Sequence, residues 1–176
     1  MAMSAETTGA GRVQRRHGAT RVLSLRHGPG DDGPVAAALR QHLGIAVPPR
    51  PGQWMGADPY LVWCRPSEWL LVGHEGVDPA AWAALAADLR AGRHAAAVAV
   101  DVSAGFVTYE LQGADIDARL ARVIDAASIA RRAGEGGRAR LAEVAVVQLR
   151  LAPGRLWLLV DRAVEAWVGE WLDTVA

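Results

Sequence analysis

A chain of 176 residues, 51% hydrophobic and 22% charged, has the length and composition of a globular protein that can bury its core without a metal or disulfide staple. Nineteen acidic residues balance nineteen basic ones, so no net charge attracts nucleic acid or an anionic membrane, and we expect neither as a partner. Every basic residue is arginine, which excludes Schiff-base catalysis and the lysine of a phosphate loop.

The first nineteen residues carry an arginine pair with no apolar stretch behind it. They predict a disordered tail over 1–19 and no export signal. No apolar run in the sequence reaches the roughly 18 residues that span a bilayer. The single cysteine, Cys64, cannot form an internal disulfide and is typical of a reducing compartment. We therefore expect a cytoplasmic protein.

The first half of the chain predicts three strands and two helices. Alternating Val22 and Leu25 indicate a strand, and Pro34 opens a helix that ends before Gly44. Four prolines make 45–59 irregular. Two further strands follow, "YLVWC" and "EWLLVG", and then a helix that Asp78 caps and that runs from Pro79 to Gly92.

The second half predicts two hairpins and two helices. The stretch 94–113 reads as two strands joined by a short "SAG" turn, the first apolar enough to be buried on both faces. A helical stripe follows over 114–125, and a flexible loop with "GEGG" follows that. "RLAEVAVVQLRL" and "RLWLLV" form a hairpin across "APG". A last helix, capped by Asp161, is expected to turn Val164, Trp167, Val168, Trp171 and Leu172 inward.

The order of these elements predicts the fold class. After an opening strand and helix, a strand-strand-helix unit repeats three times, which implies an α+β layered domain and not a doubly wound parallel sheet. We expect one domain over 20–176, built from two similar halves at about 20–92 and 93–176. No G-x-G-x-x-G follows a predicted strand, so a dinucleotide site is not expected.

The stretch "RPSEWLLVG" at 65–73 places a serine, a glutamate and an arginine next to Cys64, which suggests an active site. The alternative is a turn between two strands, in which Pro66 and Ser67 have their usual positions. A nucleophilic cysteine needs a nearby histidine or helix N-terminus, and the nearest histidine in sequence is His74. The turn is the favoured interpretation.

Two acidic residues flank the "SAG" turn. Asp101 and Glu110 could meet across a hairpin as paired carboxylates for acid–base chemistry. An aspartate followed by "VS" more often accepts hydrogen bonds from the backbone amides of its own turn, and this bracing role is the favoured one for Asp101.

No pattern of metal ligands is present, because the five histidines are scattered through the sequence. "GEGGRAR" at 134–140 could hold an anion with its glycine amides and with Arg138 and Arg140, although a mobile connector is the more ordinary interpretation. Trp171 would be an interface anchor if it proves exposed.

Three strings, taken in order, resemble the gamma subunit of heterotetrameric sarcosine oxidase. They are "PSEWLLVG" at 66–73, "VDVSAGFVTYELQGADIDARLARVID" at 100–125, and "RARLAEVAVVQLRL" with "RLWLLVDRAVEAWVGEWL" in 138–172. Upstream "LRHG" and "LGIAVPPRPG" also fit, so the resemblance extends over about 20–176. That family is similar to the folate-binding domains of the glycine-cleavage T-protein and related aminomethyltransferases.

The resemblance implies a supporting subunit with no catalytic residue, which packs beside alpha, beta and delta-type subunits. It implies that FAD, FMN and NAD are held by those partners only, and it leaves tetrahydrofolate open as a ligand of this chain. The matching positions Glu68, Trp69, Asp101 and Arg140 are then expected to brace the fold or to contact partners. The alternative is a stand-alone folate-binding or one-carbon-transfer protein, in which Arg138 and Arg140 would bind a glutamyl carboxylate.

Overall fold

The computed structural model describes residues 12–15, 20–28, 33–74, 77–91 and 97–175. Within these ranges it has ten strands and four α-helices. The strands are β1 (Arg12–Arg15), β2 (Arg21–Arg26), β3 (Trp54–Gly56), β4 (Tyr60–Arg65), β5 (Glu68–Gly73), β6 (Val98–Asp101), β7 (Phe106–Gln112), β8 (Gly136–Leu141), β9 (Val144–Ala152) and β10 (Arg155–Asp161). The helices are α1 (Gly33–Leu43), α2 (Pro79–Arg90), α3 (Ile116–Leu120) and α4 (Glu165–Val175).

The strands form two five-stranded sheets in which every named pair is antiparallel. The first sheet has the order β3-β4-β5-β2-β6, and the second has the order β1-β7-β10-β9-β8. This arrangement confirms the predicted α+β class.

The two sheets pack face to face, and the helices cover their outer faces. Between the sheets, buried side chains alternate along the strands with those that face the helices. The inter-sheet core consists of Val22, Val62, Leu70, Val72, Val147, Leu149, Trp157 and Leu159. Helices α1 and α2 cover the first sheet, and α3 and α4 cover the second. The result is four layers in the order helix, sheet, sheet, helix.

Local signals set the starts of two helical segments as predicted. Asp78 accepts a hydrogen bond from the Ala80 amide at 2.9 Å, with Pro79 as the first residue of α2. Asp161 caps a short 3-10 turn over 162–164 through the Ala163 amide, and this turn leads into α4.

The predicted hairpin over 94–113 is wrong. β6 pairs with β2 in the first sheet, whereas β7 pairs with β1 and β10 in the second, and the "SAG" segment is a 3-10 turn between the sheets. β6 is also an edge strand, so Val98 and Val100 are 49% and 48% exposed and not buried on both faces as predicted. Residues 94–96 of that prediction lie outside the described residues.

The second part of the glycine-rich loop predicted before the last hairpin, from Gly136 onward, is strand β8. A Cβ on Gly136 would lie 2.6 Å from the carbonyl oxygen of Gln148 and 3.0 Å from Trp54 Cδ1, so only glycine fits there. Gly136, one of the glycines that suggest a mobile connector in the sequence, is therefore required by close packing against β9 and β3.

Three other predictions also need correction. The helix predicted over 114–125 ends at Leu120, although Val123 and Ile124 are buried as its stripe implies. Short strands form at Arg12–Arg15, within the predicted disordered tail, and at Trp54–Gly56, within the proline-rich stretch. Each of these two strands pairs with the free edge of a longer strand, β7 or β4, and the sequence gives no local sign of that partner.

Candidate functional site

A cleft of about 400 Å³ opens where β4 of the first sheet lies against β8 of the second. Most of its lining groups are polar or glycine. They are Arg50, Pro51, Gly52, Gln53, Trp63, Cys64, Ser128, Ile129, Ala130, Glu135, Gly136, Gly137, Arg138 and Gln148.

Backbone hydrogen bonds fix the two sides of this cleft together. The Gly136 amide donates to the Gly52 carbonyl at 3.0 Å, and the Trp54 amide donates to the Gly134 carbonyl at 2.9 Å. Gln53 and Glu135 also form an isolated antiparallel bridge. The cleft is therefore a fixed feature of the junction between the two sheets.

Glu68 is the most heavily paired carboxylate at this junction. Its Oε2 accepts a hydrogen bond from Arg138 at 2.9 Å, which joins β5 of the first sheet to β8 of the second. Its Oε1 accepts from Ser24 Oγ at 3.2 Å and from Arg26 at 3.4 Å, and Arg65 lies 3.7 Å from Oε2. Burial of the carboxylate acts to raise its pKa, but the bonds from Arg138 and Ser24 and the charge of Arg26 outweigh burial and lower that pKa. Glu68 is thus an ionised tie between the sheets.

Cys64 lines the cleft as a protonated thiol. Burial raises its pKa to about 12, against the opposing charge of Arg138. Pro66 and Ser67 form the two-residue connection between β4 and β5, as the turn interpretation predicts. The Cys64 thiol is therefore not activated as a nucleophile in this structure.

Trp69 belongs to the core that α1 and α2 cover. It has no exposed surface, and its ring lies edge-on to Trp63 at 6.0 Å and tilted against His27 at 4.9 Å. The side chain reaches neither the cleft nor the outer surface of the described structure.

Asp101 and Glu110 lie in different sheets, so the structure does not bring them together across a hairpin. Asp101 Oδ1 accepts from the Ser103 amide at 2.9 Å and from Ser103 Oγ at 2.6 Å. Glu110 accepts from Arg155 Nε at 2.6 Å and from Trp157 Nε1 at 3.1 Å on the inter-sheet face. Burial opposes ionisation of Glu110, but the bonds from Arg155, Gln112 and Trp157 prevail and lower its pKa to about 2.

The two arginines suggested as an anion-binding pair are held by different carboxylates. Arg138 lines the cleft and bonds to Glu68. Arg140 bonds to Glu143 at 2.8 Å and is largely exposed. Of the two, only Arg138 lines the cleft.

Two buried polar residues of β9, which the sequence analysis missed, hold the rear wall of the cleft. Gln148 Oε1 accepts from the Ala130 amide at 2.9 Å, and its Nε2 donates to the Ser128 carbonyl. Arg150, only 1% exposed, donates to the Ala130 carbonyl at 2.8 Å and to Asp117. The signal was present in "VVQLRL", where two polar residues two positions apart interrupt an apolar strand.

Trp167 and Trp171, predicted to face inward, are 39% and 38% exposed. Their rings lie at 61° to each other with centroids 5.8 Å apart. Val168 and Leu172, predicted to face inward with them, do so and are fully buried.

Among the described residues, no three His, Cys, Asp or Glu side chains are placed to hold a metal ion. In the same part of the chain, none of the helices has the length and apolar character needed to cross a bilayer.

Comparisons with known proteins agree on one family. The model of the sarcosine oxidase, gamma subunit family matches residues 27–173. A solved heterotetrameric sarcosine oxidase from Corynebacterium sp. U-96, in complex with pyrrole 2-carboxylate, contains a chain that is 22% identical, with a TM-score of 0.77 over 94% of this chain and 83% of that one. A comparison with curated protein sequences gave no significant match.

The fold also matches that of an aminomethyltransferase. The glycine cleavage system aminomethyltransferase T from Bartonella henselae superposes with a TM-score of 0.64 at 13% identity over 94% of this chain. This chain spans 46% of the length of that protein. The aminomethyltransferase-like fold expected from the sequence is thereby confirmed.

Proposed function

Because the chain belongs to the sarcosine oxidase, gamma subunit family, we propose that it is the non-catalytic gamma subunit of a heterotetrameric, flavin-dependent oxidase of sarcosine or a related N-methyl amine. Its role in that complex is to support assembly. The partners are alpha, beta and delta-type subunits, which hold FAD, FMN and NAD. The proposed compartment is the cytoplasm, in keeping with the single cysteine.

The proposal that this subunit is not catalytic rests on the protonation states of two residues: Cys64, which lines the cleft, and Glu68, which bonds to Arg138 of the cleft. A general acid or base works best with a pKa near the operating pH, and a cysteine nucleophile needs its thiolate. The pKa of Cys64 is raised to about 12, and the pKa of Glu68 is lowered below its ordinary value. Hydrogen bonds and ion pairs from Arg138, Ser24 and Arg26 engage Glu68 as a structural tie.

Co-expression with the three other oxidase subunits of the same genome tests the assembly role. The tagged chain is expected to co-purify with them in fixed stoichiometry, and the complex is expected to oxidise sarcosine while the isolated chain does not. Oxidation of sarcosine by the isolated chain would contradict the proposal. So would a chain that purifies alone while all three partner subunits are present and folded.

A stand-alone folate-binding or one-carbon-transfer protein is the second candidate. The open cleft beside Arg50 and Arg138 favours it, because guanidinium groups bind carboxylates such as those of a folate glutamate. Titration of the isolated chain with tetrahydrofolate tests it. Arg50→Gln should weaken binding, whereas Arg140→Gln, outside the cleft, should not, and no binding at millimolar ligand would remove this candidate.

A further inference from the structure

The outer side of α4 presents two adjacent indole rings to solvent. Trp167 and Trp171 are one helical turn apart, and each keeps more than a third of its surface exposed while Val168 and Leu172 anchor the helix. Tryptophan is the residue type most enriched at the energetic centre of protein interfaces. We call the surface formed by Trp167, Trp171 and Glu170 the tryptophan face; Asp173, also exposed, lies further round α4 and extends its acidic side.

A concave surface borders this face. A depression of about 310 Å³ is lined by Trp171, Ala142 and residues 121–125. It lies where α3 has ended at Leu120, and the Ala142 amide holds the following turn through the Val123 carbonyl at 2.7 Å. Trp171 therefore stands at the edge of a recess that a partner side chain can enter.

The charges on α4 indicate what kind of partner surface would bind the tryptophan face. Its ionisable residues are Glu165, Glu170 and Asp173, with no basic residue among them, and Glu170 and Asp173 are exposed. In the depression, Arg122 and Asp125 balance each other. An apolar surface rimmed by arginine or lysine complements this pattern, since cations also stack favourably on indole rings.

A second copy of this chain fits the tryptophan face less well. In a two-fold dimer the same surface meets itself, so the carboxylates on α4 of one copy would lie near those of the other copy. Like charges facing each other oppose association. The exposed Val98 and Val100 of β6 are a weaker anchor, because valine is under-represented among residues that dominate binding energy.

We propose that the tryptophan face docks another subunit of the oxidase, through a surface with an apolar centre and an arginine- or lysine-rich rim. This inference rests on the proposed function and names the surface that would serve it. Trp167 and Trp171 provide the buried centre of the contact, and Glu170 and Asp173 provide its polar rim.

The experiment is co-expression of the complete complex with the tag on a partner subunit, and quantification of the chain retained per complex. Trp167→Ala/Trp171→Ala is expected to lower retention more than about tenfold. Met55→Ala is the matched control, since Met55 is 39% exposed on β3, and it should be retained like the wild type. Thermal unfolding of each isolated variant checks its folding.

A second variant keeps both indoles in place. Glu170→Arg/Asp173→Arg reverses the charge of the rim and should reduce retention several-fold, with the larger difference from wild type at low salt. It separates loss of docking from misfolding, because it removes no apolar surface from α4.

Each outcome decides between alternatives. Retention of both folded double variants at the wild-type level overturns the docking surface and leaves the proposed function standing. Failure of the wild-type chain to assemble overturns both. A wild-type dimer that the tryptophan variant converts to a monomer would assign the face to a second copy and overturn the inference.

Discussion

The two helical layers cover their sheets to different extents. In the first layer, α1 and α2 have 11 and 12 residues and pack against each other, and Trp82 is only 4% exposed. In the second layer, α3 has five residues, and α4 leaves Trp167 and Trp171 exposed. The first layer is complete within the chain, whereas the second presents aromatic surface that a partner can cover.

The two layers also differ in the polar contacts that hold their helices and the segments next to them in place. α1 and α2 are linked at their surface by His42 and Asp88, 3.1 Å apart, above an apolar interior. The segment after α3 is instead fastened to the second sheet by buried polar side chains, Gln148 and Arg150. The second layer therefore adds buried side-chain hydrogen bonds to an apolar core, whereas the polar link of the first layer lies at its surface.

The largest expected effect on stability comes from comparing a tryptophan of the first layer, Trp82, with a tryptophan of the second layer, Trp171. Trp82→Ala should lower the free energy of unfolding by about 3–5 kcal/mol, because it empties a buried site. Trp171→Ala should lower it by only about 1–2 kcal/mol, because more than a third of the side chain is already exposed. Urea unfolding of the isolated chain measures both, and equal losses would contradict the contrast between the layers.

The next-largest effect on stability is expected from removing a side chain that joins a helix to a neighbouring element by an ion pair or hydrogen bond. Asp117→Ala leaves the buried Arg150 guanidinium without its carboxylate and should cost about 3 kcal/mol of unfolding free energy. Asp88→Ala is the matched change in the first layer and should cost about 1 kcal/mol, because it removes one side-chain hydrogen bond between α1 and α2. A larger loss for Asp88→Ala would show that the first layer also depends on polar ties.

A smaller effect on stability is expected from Glu110, which lies on the face where the two sheets pack together. The folded-state pKa of Glu110 is about 2, below that of an ordinary glutamate, so its contribution is complete above about pH 4.5 and is lost as pH falls toward 2. The melting temperature should fall over that interval. Glu110→Gln should be less stable at neutral pH and less sensitive to pH between 4.5 and 2.

If the melting temperature of Glu110→Gln keeps the full wild-type dependence on pH, then Glu110 is not the source of the acid sensitivity. Glu68, whose pKa is also lowered and which bonds to Arg138 of the other sheet, is then tested with Glu68→Gln in the same measurement.

The smallest effect is expected for a change at Cys64, which should leave turnover unaltered. Because its pKa is raised to about 12, the native thiol should react with a disulfide reagent at neutral pH far more slowly than it does in the denatured chain. Cys64→Ser should leave sarcosine oxidation by the assembled complex unchanged. Loss of turnover with the complex intact would show that this thiol takes part in the chemistry.

Much of the fold could be predicted because its signals are local. The strand at "TRVLSLR", the Pro66–Ser67 turn and the caps at Asp78 and Asp161 depend on residues within a few positions of one another. The order of the motifs along the chain also indicated the family. Side-chain periodicity and capping are properties of the backbone that forms each element, so the sequence by itself determined them.

Only the tertiary structure decided which strands pair and which side chains are covered. β6 pairs with β2 and not with β7, Arg150 is buried, and Arg138 reaches Glu68 from the opposite sheet. Trp171 lies on the stripe predicted to face the core, yet it is exposed because α3 stops at Leu120 and the turn that follows leaves a recess at its side. These outcomes depend on contacts between segments far apart in the chain, which the periodicity of any one segment does not encode.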